Sequence, residues 1–297
     1  MMQDSPATVA EALRHTAERL ATARVFDPRR EARLLLAIAL DAEPLHLVSE
    51  PDRSISAAEF AQMTAILERR LAGEPVSRIA GSRGFWTLDL AISPEVLDPR
   101  PETELLVERA LDHIGPGRAG SLKILDLGTG SGCILLALLA ELPAAIGVGV
   151  DRSPAALVVA RSNARTAGLA ARAFWLAGDW VAPVAGLFDV IVSNPPYIPA
   201  GAVATLDRSV RAFDPSAALD GGPDGLAAYR MLIPAICNLL TPEGIACLEV
   251  GRGQAPMVAA MAANADGSPE IHTDFAGIQR CVTIMRKKGA CIAEKSR

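Results

Sequence analysis

The sequence predicts an α/β protein: a mostly parallel sheet covered by helices, preceded by a small N-terminal helical bundle and a β-hairpin linker. Three observations carry this. Beyond Ser121, short apolar runs of strand length alternate with longer helical stretches. One of these runs opens into a glycine-rich turn, Gly128-Thr129-Gly130-Ser131-Gly132. Before about residue 75, by contrast, apolar residues recur only at helical spacing.

In the first segment, Val9, Leu13 and Leu20 mark one helix. Asp27-Pro28 places a capping carboxylate before a proline at the first helical position, opening a second helix with Leu34, Leu35, Leu36, Ile38 and Leu40. Ser56-Ala57-Ala58-Glu59 is a capping box for a third, which carries Phe60, Met63, Ile66 and Leu67 and stops near Gly73. These three helices define an N-terminal domain over residues 1–76. Alternation from Arg83 to Ile92 then predicts a hairpin, with the linker running over 77–98. Pro99-Arg100-Pro101-Glu102-Thr103-Glu104 reads as a helix start before Leu105, Leu106, Val107 and Leu111, opening a second domain over 99–288. Within it, strands are expected at Lys123–Leu127, Ile146–Val150, Phe188–Ser193 and Gly244–Val250, with another ending at Gly178-Asp179-Trp180. Helices are expected at Gly132–Leu142 and Pro154–Ala167, and residues 289–297 read as a flexible tail.

Composition narrows the function classes. Of 297 residues, 50% are hydrophobic and 21% charged, enough apolar material for a sizeable core. Apolar runs such as Cys133–Ala140 fall far short of the ~20 residues that span a bilayer, and the first residues show no basic stretch before an apolar core. A cytoplasmic protein without a membrane partner is expected. The net charge of −5 disfavours stable nucleic-acid binding, which calls for a clustered basic face. The five cysteines and four histidines stand singly, without a C-x-x-C pair, so neither a disulfide framework nor a metal site is predicted.

The chemistry concentrates at strand ends. Asp126-Leu127-Gly128-Thr129-Gly130-Ser131-Gly132 follows a strand and opens a helix, where glycines let backbone N–H groups approach a ligand. The competing reading is a purely structural turn. Asp151, about 20 residues on at the end of the next strand, can accept from both ribose hydroxyls, or it can cap the helix at Ser153-Pro154. Asp179 can meet an adenine amino group and Trp180 can flank the ring, unless Trp180 is a core-edge residue. The most specific feature is Asn194-Pro195-Pro196-Tyr197, directly after the strand Phe188–Ser193. The two prolines stiffen the loop, so that the Asn194 side-chain oxygen and the Pro195 carbonyl become fixed acceptors for the two hydrogens of a planar NH₂ group. Tyr197 adds an aromatic wall for a flat substrate or a cationic sulfonium.

Together Asp126–Gly132, Asp151 and the Asn194–Tyr197 tetrapeptide resemble class I S-adenosylmethionine-dependent methyltransferases, Rossmann-like enzymes that modify amino or amide nitrogen. More narrowly, Glu74-Pro75-Val76, Gly84-Phe85-Trp86, Pro99–Glu104 and Glu249-Val250-Gly251-Arg252-Gly253-Gln254 resemble the HemK/PrmC family. The resemblance implies methylation of the N5 amide of the glutamine in the Gly-Gly-Gln motif of class 1 peptide chain release factors. It also implies S-adenosylmethionine as cofactor, leaving S-adenosylhomocysteine, and an N-terminal domain that helps hold the release factor. Catalysis falls to Asn194, Pro195 and Tyr197, and substrate binding to these three and Pro196. Cofactor binding falls to Asp126, Gly128, Thr129, Gly130, Ser131, Gly132, Asp151, Asp179, Trp180 and Asn194. A monomer is expected. Phe213-Asp214-Pro215 departs from the family's pattern, where Glu-Pro is common. Three alternatives stay open: a ribosomal-protein glutamine methyltransferase, a DNA adenine-N6 methyltransferase, and a scaffold that binds translation factors without activity.

Overall fold

The computed structural model describes residues 8–115 and 120–287. The tail expected at 289–297 lies outside the described residues. Two compact units divide at Gly81/Ser82.

The first unit is helical: α1 (Val9–Thr22), α2 (Pro28–Leu40), α3 (Pro44–Ser49), α4 (Ala57–Leu71) and α5 (Val76–Ala80). Local chemistry sets their ends. Ser56 and Glu59 form the anticipated capping box, and Asp27 caps α2 with Pro28 in the first turn. Thr8 and Glu11 make a further capping box at α1. Leu20, Leu35, Leu36, Met63 and Leu67 fill the unit's core. Among the described residues five helices replace the three read from spacing, because α3 and α5 have only 6 and 5 residues and show no repeat. Each starts at a proline instead: Pro44 in the first turn of α3, Pro75 as the N-cap of α5. Residues 77–80 are therefore helical rather than part of the hairpin linker, and the helix stops at Gly81 in the left-handed region.

The second unit opens with the antiparallel hairpin β1 (Ser82–Phe85) and β2 (Leu88–Ala91), then α6 (Glu104–Ile114). There follow β3 (Lys123–Leu127), α7 (Cys133–Glu141), β4 (Ile146–Asp151), α8 (Pro154–Thr166), β5 (Ala173–Ala177) and β6 (Phe188–Ser193). The short helices α9 (Ala200–Val203) and α10 (Arg208–Arg211) lead to α11 (Ala227–Leu239), β7 (Leu240–Glu249), α12 (Ala255–Asn264), β8 (Gly267–Thr273) and β9 (Gln279–Arg286). The large sheet has the order β5-β4-β3-β6-β7-β9-β8. Strands β3 to β7 run parallel, and β9 is antiparallel to both β7 and β8.

Both faces of the sheet are buried, and alternation along each strand decides which side chain meets which layer. Ile124, Val190, Val192 and Cys247 pack with α6 and α7, while Leu125, Leu127, Ile191 and Leu248 pack with α11 and α12. The chain leaves β3 toward β4 and β5, then returns to place β6 on the other side of β3. A crevice opens at such a switch point beyond the carboxyl ends of the strands. No helix among the described residues is long and apolar enough to cross a membrane.

Candidate active site

A cavity of about 810 Å³ occupies this switch point, within the size range of small-molecule sites. Gly128, Thr129, Gly130 and Ser131 from the loop after β3 form one wall, Asp151 at the end of β4 a second, Asp179 and Trp180 beyond β5 a third. Asn194 and Pro196, just past β6, close it. The Ser193 hydroxyl donates to the Leu127 carbonyl over 2.6 Å, fastening the end of β6 to the end of β3.

The loop after β3 is held by two carboxylates. Thr129 donates its hydroxyl proton to Asp126 Oδ2 over 2.6 Å, and Asp126 is 1% exposed. Asp126 is absent from the cavity wall, so it fixes the loop from behind. Its carboxyl is pushed up to about 7, chiefly by burial; the Thr129 bond opposes this and the nearby Asp151 adds to it. The Gly130 amide donates to Asp151 Oδ2 and the Ser153 amide to Asp151 Oδ1, each over 2.9 Å. Asp151 is not the helix cap, because Ser153 caps α8 through the Ala156 amide. A carboxylate has about four acceptor sites, so two remain for a ligand.

Two glycines are required by contact as well as by backbone. Gly128 has φ +75°, and a Cβ there would come 3.2 Å from the Trp180 ring; Gly132 has φ +82° and would meet Trp175 at 3.0 Å. Trp180 itself takes φ +48°, a left-handed conformation that costs an ordinary residue ~1–2 kcal/mol. Its ring lies against the glycine turn, lines the cavity and also packs against the core beneath, so both expected placements describe it.

Asn194 is half-buried, and its Nδ2 donates to Thr103 Oγ1 over 3.3 Å, which leaves Oδ1 as the acceptor. Pro195 is buried and Tyr197 half-buried, and neither lines the cavity. Instead the Tyr197 hydroxyl donates to Glu249 Oε1 over 3.4 Å, and the Gln254 side-chain amide donates to the Tyr197 carbonyl over 2.9 Å. Burial and the Glu249 charge push the Tyr197 phenol well above its ordinary value. Gly132 also lies off the wall.

The sequence marks Pro99–Glu104, Asp214 and Glu249–Gln254 only as segments of the resemblance and gives none of them a role in supporting this site. Two loops that line the cavity with Pro99 and Pro215 are joined where Arg100 donates to Asp214 Oδ2 over 2.6 Å and the Asp98 amide to Asp214 Oδ1 over 3.2 Å. Glu249 is 2% exposed and sits at the end of β7, closing the buried apolar run 245–248. A lone carboxylate closing an otherwise apolar run is the signal that marks it, since such groups are rarely buried without a task.

The N-terminal unit matches the family described as PrmC N-terminal domain over residues 11–81, and residues 92–213 match the methyltransferase small domain. The chain is 48% identical to the release factor glutamine methyltransferase of Rhodospirillum rubrum, covering 96% of this chain and 87% of the relative. It is 45% identical to the enzyme of the same name from Caulobacter vibrioides, covering 90% of this chain and 91% of that one. In fold it is similar to the hMettl16 catalytic domain, with TM-score 0.55 at 15% identity over 81% of this chain and 87% of that chain. Identity of 44–48% across nearly the full length, in both units, establishes the assignment. The chain belongs to the PrmC/HemK family of release factor glutamine methyltransferases, Rossmann-like enzymes that depend on S-adenosylmethionine.

Proposed function

We propose that this chain methylates the N5 side-chain amide of the glutamine in the Gly-Gly-Gln motif of class 1 release factors, with Asn194 Oδ1 and the backbone carbonyl of Pro195, whose side chain is buried off the cavity wall, accepting from the nitrogen. The carrying observation is that Asn194 stands beside the glycine turn with its Nδ2 engaged by Thr103 and its Oδ1 left to accept. The residues present fit the cofactor. Asp151 has acceptor capacity for ribose hydroxyls, Asp179 suits an adenine amino group, Trp180 offers a ring face, and the turn at Gly128–Gly130 admits close backbone approach.

The bound cofactor supplies an electrophilic methyl group on a sulfonium. The protein's task is the nucleophile. An amide nitrogen is weak because its lone pair is delocalised into the carbonyl. As positive charge develops on it, N–H bonds to Asn194 Oδ1 and the Pro195 carbonyl strengthen, so these acceptors bind the transition state better than the ground state; the nitrogen takes the methyl group, displacing the neutral thioether of the demethylated cofactor as leaving group, and then releases one proton to water. Pro195 and Pro196 keep both acceptors fixed, and holding the nitrogen in line supplies a further share of the acceleration. Tyr197, tied to Glu249 and Gln254, anchors the far end of the tetrapeptide rather than walling the ligand. A release factor acts on the ribosome, which is consistent with a cytoplasmic enzyme.

The test is mass spectrometry of a class 1 release factor incubated with the protein and cofactor. A gain of one methyl on the Gly-Gly-Gln peptide is expected. Methyl transfer to ribosomal protein or duplex DNA instead, or binding without transfer, would replace this reading by the corresponding alternative.

A further inference from the structure

Glu249 reaches both ends of the tetrapeptide with one side chain. Its Oε2 accepts the Thr103 hydroxyl proton over 2.6 Å, and Thr103 Oγ1 in turn accepts from Asn194 Nδ2 over 3.3 Å. Its Oε1 accepts from the Tyr197 hydroxyl. The strand end itself is pinned where the Tyr229 hydroxyl donates to the Glu249 backbone carbonyl over 2.8 Å. Thr103 and Glu249 are each 2% exposed, and Thr103 lies at the cavity wall between Glu249 and Asn194.

We propose that Glu249, acting through Thr103, is the positioning residue that sets which way the Asn194 carboxamide faces. The inference rests on the reading of Asn194 as the glutamine-binding group. Proton counting carries it. An ionised carboxylate has no hydrogen to give, so the single Thr103 proton must point to Glu249 and its lone pair must point to Asn194. Asn194 then presents Nδ2 to Thr103 and Oδ1 to the substrate. Protonation of Glu249 releases the constraint: the carboxylic acid can donate to Thr103, Thr103 can donate to Asn194, and the amide can turn over. It would then offer N–H groups to a substrate that itself has only N–H groups to give. Chains of hydrogen bonds also polarise one another, so the ionised form makes Oδ1 a better acceptor.

The environment of Glu249 places this change near neutrality. Burial pushes its carboxyl up to about 7, opposed by the Thr103 bond, Arg280 and Tyr197, and aided by Glu102. The other ionisable neighbours are Cys281, opposite Glu249 on β9, held neutral by its hydrogen bond with Cys247 and by burial, and the Tyr229 phenol on α11 and Cys133 on α7, which burial holds neutral well above this range. Productive turnover therefore falls as pH drops through about 7, when Glu249 takes up its proton.

The experiment is steady-state methylation of a class 1 release factor across pH 6–9 by the wild type, E249Q, T103V and T103S, with cofactor affinity measured by calorimetry. Expected are a kcat loss of roughly 10- to 100-fold in E249Q and T103V, less than for losing a direct contact, with cofactor Kd unchanged. T103S should restore most of kcat, and the limb near pH 7 should vanish in E249Q. Wild-type kcat with the same limb in E249Q overturns the inference. So do equal losses in T103S and T103V, or a fall in cofactor affinity that matches the fall in kcat, since either indicates packing alone. A wild type that leaves the glutamine unmethylated overturns the functional reading and this inference with it.

Discussion

The Gly130 amide donates to the Asp151 carboxylate over 2.9 Å, so the turn after β3 and the end of β4 are locked together at the cavity wall. One side chain thus shapes the glycine turn and offers its remaining lone pairs to a ribose. Asp151→Ala removes both. Hydrogen bonds to a charged group contribute about 1.5–3 kcal/mol each, so cofactor Kd should rise roughly 10- to 100-fold for each ribose bond lost. Because ribose bonds are present in ground and transition states alike, kcat at saturating cofactor should change little. Isothermal calorimetry with an unchanged Kd would count against the assignment.

Asn194 makes the opposite split. Its Oδ1 acts on the nitrogen as charge develops, so Asn194→Ala should lower kcat by roughly 10²–10³-fold, the usual loss for one fixed electrostatic contact. Cofactor Kd should stay near the wild-type value. Single-turnover methylation of the release-factor glutamine reads the effect, and wild-type turnover in this variant would refute the role.

Asp214 joins the two loops that carry Pro99 and Pro215, accepting from Arg100 and from the Asp98 amide. Its side chain is 2% exposed while that of Arg100 is 33% exposed, so Asp214→Ala leaves a cation that water can still reach. The expected cost is about 1–3 kcal/mol of stability, the range for lost bonds to a buried charged group. Looser loops should also weaken cofactor binding. Urea unfolding and calorimetry would check this, and a variant as stable as the wild type would show that the loops do not need the tie.

What was legible in the sequence follows from range. The strand β3, its glycine turn and the Asn194 loop could be read because each is a contiguous apolar run ending abruptly in polar or restricted residues. Asp27, Ser56 and Glu59 announced helix starts for the same local reason. The edge hairpin was not read: β8 alternates Ser268, Glu270 and His272 with a proline at 269, and its outer position spares it the apolar signature of the central strands. The supports of the site were hidden for a different reason. Thr103 and Glu249 lie 146 residues apart, and Tyr197 and Gln254 lie 57 apart, so no spacing rule connects them. The sequence reads Tyr197 as an aromatic wall, whereas its hydroxyl turns toward Glu249, a direction set by the packing of β6 beside β7.

Asp126 should leave a trace in the pH dependence of stability. Its folded carboxyl sits at about 7 against an ordinary 3.8, so between those values the folded chain holds a proton that the unfolded chain has released. Its contribution to stability is therefore largest below 3.8, falls as pH rises through this window and levels off above 7. Asp126→Asn keeps an acceptor for Thr129 and removes the titration. The stability difference between wild type and variant, from urea midpoints at several pH values, should shift in the variant's favour up to about 7. Parallel curves would show that the group does not titrate there.

Gly149 on β4 links core packing to the glycine turn. A Cβ at this position would lie 2.6 Å from the Trp175 ring and 2.9 Å from Thr129 Oγ1, closer than such contacts allow. Trp175 is pinned on β5 directly across from Gly149 in the parallel register, so it cannot simply swing away. The remaining relief is for Thr129 to move, which strains its 2.6 Å bond to Asp126 and shifts the turn that lines the cavity. Gly149→Ala should therefore cost about 1–3 kcal/mol, typical of overpacking, and also raise cofactor Kd. Ala145, buried just before the same strand, offers a control: Ala145→Gly loosens packing without touching the turn, so it should lower stability while leaving Kd alone. Equal cofactor affinity in Gly149→Ala and wild type would mean that Thr129 does not transmit the clash.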